Sequence, residues 1–178
     1  MKNKELLPII LPVLVIFLGF VFFYSQIKST SSLFISTYGL IAIFLVVIVM
    51  DTVIQPISPD ILVFGATLGG ADLLAVSLIG GLGSCVAGVF GYHLGKNLGS
   101  DKFEKKFGKK HLDKGQALFN KYGIYAVIVG AFSPIPYSSV CWVAGIYGMS
   151  IKPFIITSVF TRVPRFFLMG LLGAVIYA

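Results

Sequence analysis

Leu6 to Tyr24 runs for 19 residues without a charge, and Leu33 to Met50 runs for 18. A bilayer's hydrocarbon core is about 30 Å thick, and a helix needs about 20 apolar residues to cross it. Runs of this length confine the chain to a membrane. Composition agrees: 57% of the 178 residues are hydrophobic, 12% are charged, and mean hydropathy is +0.94. A soluble domain is nearer to about 45–50% apolar and about 25% charged. This excludes a soluble enzyme and, despite 20 Gly and 8 Pro, a disordered chain. The expected fold class is an all-α integral membrane protein with several spanning or inserted segments.

The first run follows Lys2, Lys4 and Glu5. It is longer than the apolar core of a signal peptide, and Phe22, Phe23, Tyr24 and Gln26 make a poor cleavage site. Residues 1–32 are therefore expected to form an uncleaved transmembrane helix and a short loop. Pro8 and Pro12 fall in its first turns, where proline is tolerated. The second run meets Asp51, then Pro56, Ser58, Pro59 and Asp60, and turns apolar again from Ile61 to Leu68. A short proline-bearing break with apolar residues on both sides predicts a re-entrant hairpin over 33–70. Irregular backbone at membrane depth is tolerated only under protein or beside a watery cavity.

Leu73 to Leu94 is a third apolar run, and the helix is expected over 73–97. Gly80, Ser84 and Gly88 recur every four residues on one face, which suits close helix packing. The net charge of +7 does not point to nucleic acid. Residues 96–121 hold eight lysines against Asp101, Glu104 and Asp113, which is +5 of the total. Such a segment between membrane elements reads as cytoplasmic. Phe103 and Phe107, four apart among lysines, resemble a helix lying on an anionic lipid surface; a solvated connector over 98–121 fits equally.

Ile124 to Phe132 is apolar but only nine residues long, and Ser133-Pro134-Ile135-Pro136 interrupts it. Tyr137 to Met149 is apolar again. A second re-entrant hairpin is expected over 122–149, and a last helix over 153–177. Each half thus has an apolar arm, a proline tip (Pro56 and Pro59; Pro134 and Pro136), a second arm ending in glycines, and a spanning helix. Paired proline-interrupted segments point to an inverted-repeat transporter. The region 33–178 forms one membrane domain, with its hairpins entering from opposite faces.

Four charges fall at or near membrane depth: Asp51, Asp60, Arg162 and Arg165. An isolated charge at the centre of a spanning helix costs about 2.5–3.5 kcal/mol on insertion scales. Arg162 and Arg165, three apart, share a helix face, and Pro164 between them is expected to kink the helix. Two arginines and two aspartates sum to zero, so the economical arrangement is a polar centre formed by hairpin one and the last helix. Ser58-Pro59-Asp60 also reads as a plain helix start, Asp51 as the end of an arm, and the arginines as structural pairs.

Cys85 and Cys141 read as small buried hydrophobes. His93 and His111 have no metal-site spacing. Neither a metal nor a cofactor is expected. The sequence lacks the common nucleophile, metalloprotease and phosphate-loop motifs, and Ser138 and Ser139 have no neighbouring base, so the chain is not read as an enzyme.

The order Asp51, Pro56, Pro59-Asp60, then Gly91-Tyr92-His93-Leu94-Gly95-Lys96-Asn97-Leu98-Gly99, Lys121-Tyr122-Gly123 and Phe132-Ser133-Pro134-Ile135-Pro136 resembles the DedA family. That family is also called the SNARE-associated or VTT-domain family. The likeness covers roughly 33–177, and Arg162-Val-Pro-Arg165-Phe looks like the short YqaA-like branch. The resemblance implies two re-entrant hairpins, lipid movement across the bilayer, and coupling to a proton or sodium gradient. Family substrates include undecaprenyl phosphate and phospholipids. The family's acids fall on Asp51 and Asp60. Its arginine before Phe-x-Pro is Ala131 here, a later one lies near Tyr137 and Ser138, and its Gly-Asp is Ala87-Gly88. Arg162 and Arg165 stand as replacements from the next helix.

The function expected is therefore a translocase for a lipid with a phosphate headgroup, sited in the cell membrane. Asp51, Asp60, Arg162, Arg165, Ser138 and Ser139 are its candidate substrate-binding residues. The arginines offer planar, charge-assisted bonds to phosphate. Anionic membrane lipids are the expected partners, nucleic acid is not, and the sequence leaves a homo-oligomer open. The alternatives are an ion- or proton-coupled small-solute carrier and a structural membrane protein.

Overall fold

The computed structural model describes residues 7–53, 58–133 and 136–178. All regular structure among them is helical: α1 (Leu7–Thr52), α2 (Asp60–Leu68), α3 (Leu73–Leu94), a π-helical turn (Gly95–Gly99), α4 (Ser100–Phe107), α5 (Lys109–Phe132), α6 (Tyr137–Ile146) and α7 (Ile151–Tyr177). Among the described residues three stretches are long and apolar enough to cross a membrane: Ser32–Thr52, Leu73–Asn97 and Ile151–Tyr177. By contrast α2 and α6 have nine and ten residues. At 1.5 Å per residue each is about 13–15 Å long, half a hydrocarbon core.

Two expectations about connections need correction. The loop expected at 27–32 is helical; α1 departs from helical geometry at Gly39 instead (φ 65°, ψ −172°). Residues 25–32 are polar except Ile27 and contain neither glycine nor proline, so polarity there marks an environment rather than a break. Only glycine takes a positive φ without strain. Of the two readings of the basic segment 98–121, the loop or connector is corrected and the helical one holds. The segment consists of the end of the π-helical turn, α4 and the first half of α5, turning at Gly108 (φ 84°). The nine-residue apolar arm is thus the end of a 24-residue helix. Helix α7 continues through Pro164. The tip residues Pro56 and Pro134 lie outside the described residues, while Pro59 and Pro136 sit directly before α2 and α6.

Close approaches fix the helix directions. A Cβ added at Gly80 would meet Phe166, one at Gly81 would meet Val163, and one at Gly170 would meet Ser77. Falling numbers on α7 against rising ones on α3 make the two antiparallel. Thr67 opposite Gly173, Val63 opposite Gly170 and Asp60 opposite Arg165 rise together, so α2 runs parallel to α7. In the same way Tyr137 faces Gly88 and Ile146 faces Gly99, so α6 runs parallel to α3. One end of the molecule gathers Gly70, Tyr177 and Lys28, whose Nζ lies 4.2 Å from the Tyr177 ring centre. The other gathers the π-helical turn, α4 and Tyr147.

The buried core has two parts. Ile43, Val47, Val63, Val76 and Phe166 join α1, α2, α3 and α7. Tyr92, Val127, Tyr137, Cys141 and Phe154 join α3, α5, α6 and α7. Ile41, Val49, Phe160 and Val175 remain exposed. A helix with large apolar residues outside as well as inside suits a hydrocarbon surround.

Candidate functional site

Arg162 lies eleven residues into α7, about 17 Å along it, with Arg165 one turn further. Both therefore sit at the middle of a spanning helix, where a charge needs a partner. Each has one. Arg162 Nη2 donates to Asp51 Oδ2 at 2.6 Å and its Nε to Ser84 Oγ at 2.6 Å. The Ser84 hydroxyl donates to the same Asp51 oxygen at 2.5 Å. Asp51 comes from the last turn of α1, Ser84 from α3 and Arg162 from α7.

This triad is closed. The Arg162 side chain is 1% exposed. Its guanidinium carbon lies 4.3 Å from the Tyr137 ring centre and 5.0 Å from that of Phe166. Such cation–π contacts strengthen when water is excluded. The Tyr137 hydroxyl donates to Ser158 Oγ at 2.6 Å, which holds the ring in place.

The second pair is more open. Arg165 Nε and Nη2 donate to Asp60 Oδ2 at 2.8 and 2.5 Å. Its Nη1 donates to the backbone carbonyl of Ala131. The Arg165 side chain is 22% exposed, that of Asp60 5%. Asp60 Oδ1 is the one buried side-chain oxygen or nitrogen without a hydrogen-bond partner among the described residues.

Helix ends shape this electrostatics. Asp60 opens α2, where the positive end of the helix dipole favours a carboxylate. Ala131 lies in the last turn of α5, whose final carbonyls lack helical donors. Arg165 answers both at once. The last residue of α1 is served similarly, since Trp142 Nε1 of α6 donates to Thr52 O at 3.2 Å. Two helix ends inside the protein are thus capped by side chains from other helices.

The charges expected to converge do so as two neutral pairs rather than one cluster. Asp60 starts a helix and also pairs with Arg165, so its two sequence readings hold together. Ser138 is buried and Ser139 half-buried at the start of α6. Among the described residues neither hydroxyl bonds to either guanidinium. Ser84 and Tyr137 are the members that residue-by-residue reading left out of the site. In the sequence Ser84 reads as a packing residue, since its neighbours on that face are glycines. Its hydroxyl among glycines was the available signal. No group of three or more metal-ligating side chains occurs among the described residues.

Comparison with known proteins places this geometry in a family. Residues 56–175 match the VTT domain, which contains α2 through α7 and three of the four charged partners. The chain is 32% identical over 131 residues to an uncharacterized protein of Methanocaldococcus jannaschii, covering 74% of this chain and 81% of that one. It is 27% identical over 129 residues to an uncharacterized protein of Haemophilus influenzae, covering 70% and 67%. No solved structure matches. With more than half its length in the domain, and helices long and apolar enough to cross a membrane, this chain belongs to the VTT-domain family of membrane proteins, the DedA or SNARE-associated family.

Proposed function

We propose that the chain moves a lipid with a phosphate headgroup across the cell membrane, without covalent chemistry. The observation that carries this reading is the Asp60–Arg165 pair. It lies at the middle of a spanning helix, remains partly exposed at the arginine, and leaves one carboxylate oxygen unused. A phosphate entering beside Arg165 takes over Nε and Nη2 from Asp60. A guanidinium holds two phosphate oxygens as readily as a carboxylate. The lipid tail stays in the surrounding hydrocarbon. Asp60 then loses its counter-charge and is neutralised by a proton or a cation. Arg162 is enclosed by Asp51, Ser84 and Tyr137, and in this reading holds α1, α3 and α7 together.

The helix directions support a re-entrant, inverted-repeat arrangement. The final turns of α1 bring Asp51 to the level of Arg162, and α2 leaves from the level of Arg165 towards the Tyr177 end. The C-terminal half of α5 and the whole of α6 do the same from the opposite end. Two hairpins entering from opposite faces, with their tips beside α7, permit one site to be reached from either side. The basic end is then cytoplasmic.

The test is reconstitution in vesicles with fluorescent phospholipids and polyprenyl phosphates, scored for headgroup movement between leaflets. Wild type is expected to accelerate movement of a phosphate lipid, with the rate falling at least tenfold in Arg165→Gln. Movement no faster than in protein-free vesicles across the lipid set, with ion or solute flux instead, overturns the reading in favour of a carrier. Neither activity leaves a structural membrane protein.

A further inference from the structure

We infer that the exposed lysine face of α4 and α5 is a binding surface for anionic phospholipid headgroups. Connectivity places it. The candidate span containing α3 ends at Asn97, and α5 becomes apolar again at Ile124. Helix α4 and the first half of α5, which lie between these points, are therefore on one side of the membrane.

Packing then decides which faces look outward. On α5, Gly115 lies against the Tyr147 ring, Gly123 against Met149, and the Phe119 ring lies tilted against that of Tyr147 with centres 5.5 Å apart. Leu112, on the same stripe, is buried. At about 100° per residue, Lys110, Lys114 and Lys121 fall within about 40° of one another on the opposite face. All three are exposed. On α4, Phe103 meets Tyr147 edge-on at 5.6 Å, while Lys102 and Lys105 are exposed. Tyr147 thus clamps both helices, and the lysines project from the clamped unit. Leu118, Tyr122 and Tyr125 are exposed on the same helix, and large apolar and aromatic residues mark where a helix enters the headgroup layer.

The occupant that fits is the lipid surface itself. The segment carries +5 of the chain's net charge and continues into an apolar segment at both ends. Each lysine near an anionic leaflet favours binding about fivefold, and the attraction is screened by salt. A soluble acidic polypeptide would meet the same charges but has no share in the exposed Leu118, Tyr122 and Tyr125.

Hydrogen exchange of the full chain in nanodiscs tests this independently of any transport. The amides of residues 100–116 are expected to exchange at least tenfold more slowly in discs with about 30% phosphatidylglycerol than in pure phosphatidylcholine. That protection should vanish in sodium chloride of about 0.5 M, where the screening length falls to about 4 Å, and in the combined variant Lys102→Gln, Lys105→Gln, Lys110→Gln, Lys114→Gln. The variant's exchange in α3 and α7 reports whether it remains folded, and single lysine substitutions replace it where it does not. Equal exchange in neutral and anionic discs overturns the inference. So does protection that survives salt, or protection by added polyglutamate but not by phosphatidylglycerol. Loss of lipid movement with this protection intact would count against the translocase reading alone.

Discussion

Arg165 and Asp60 meet through one carboxylate oxygen. Both guanidinium bonds, at 2.8 and 2.5 Å, end on Oδ2, and Oδ1 stays buried without a partner. An end-on pair of this kind keeps two charges neutral at membrane depth, yet leaves half the carboxylate unused. The same arginine donates to Ala131 in the last turn of α5, so one side chain links α2, α5 and α7.

Coupling between Asp60 and Arg165 should be measurable in stability. Removing one partner of a fully buried pair costs about 3–5 kcal/mol. Arg165 keeps some exposure, so Asp60→Asn and Arg165→Gln are each expected to cost about 1–3 kcal/mol. The double variant should cost clearly less than the sum of the singles. Denaturant unfolding in detergent provides the three values, and strict additivity would mean that the pair carries no interaction energy.

The Asp51 triad should respond differently. Arg162→Gln strands Asp51 where almost no solvent reaches, so a loss of about 3–5 kcal/mol is expected, larger than for Arg165→Gln. Ser84→Ala removes a hydroxyl used by both partners and should cost about 1–3 kcal/mol. Thermal unfolding of the three variants side by side gives the order; Arg165→Gln proving the most damaging would reverse the roles assigned to the two pairs.

Headgroup charge should matter at Arg165. Wild-type protein is expected to be stabilised against heat by a polyprenyl phosphate and much less by the corresponding alcohol. Arg165→Lys keeps the charge but lacks the planar fork, and should lose most of that difference. Equal stabilisation by phosphate and alcohol would remove the phosphate site.

Glycines differ sharply in what they tolerate. A Cβ at Gly145 would run into the Tyr92 carbonyl and the Lys96 amide, both backbone. Gly145→Ala must push α6 away from α3 and should cost upwards of about 3 kcal/mol. Gly39 has open space around it, but its φ of 65° with ψ of −172° is a backbone region essentially confined to glycine, so Gly39→Ala should cost about 1–3 kcal/mol without displacing a neighbouring helix. Comparable losses in unfolding experiments would contradict this packing of α3 on α6.

Sidedness follows from the two ends of the fold. Ser29→Cys, near Lys28 and Tyr177, should label from outside intact cells, and Glu104→Cys in α4 should not. Cys85 and Cys141 are buried and add little background. The opposite pattern would invert the proposed orientation while leaving the fold as it is.

Membrane residence, helical class, the proline-broken segments and the need for counter-charges were all legible in the chain. These follow from local quantities: run length against bilayer thickness, proline's missing N–H, and the cost of a lone charge in hydrocarbon. Charge balance pointed to two aspartates meeting two arginines in one polar centre, without saying which aspartate takes which arginine. Which arginine would be enclosed was not legible. Arg162 and Arg165 are three residues apart on the same helix, and their sequence surroundings are alike. Only the packing of Tyr137 from α6 and Ser84 from α3 against Arg162 separates them. Helix breaks were half legible: Pro59 and Pro136 stand directly before α2 and α6, but the mostly polar residues 25–32 and the lysine-rich 98–121 imitated loops. Polarity reports what surrounds a segment, whereas a helix ends where its backbone must leave helical geometry, at Gly39 and Gly108. That choice, like the partner of each buried charge, was made by contacts between segments far apart in the chain.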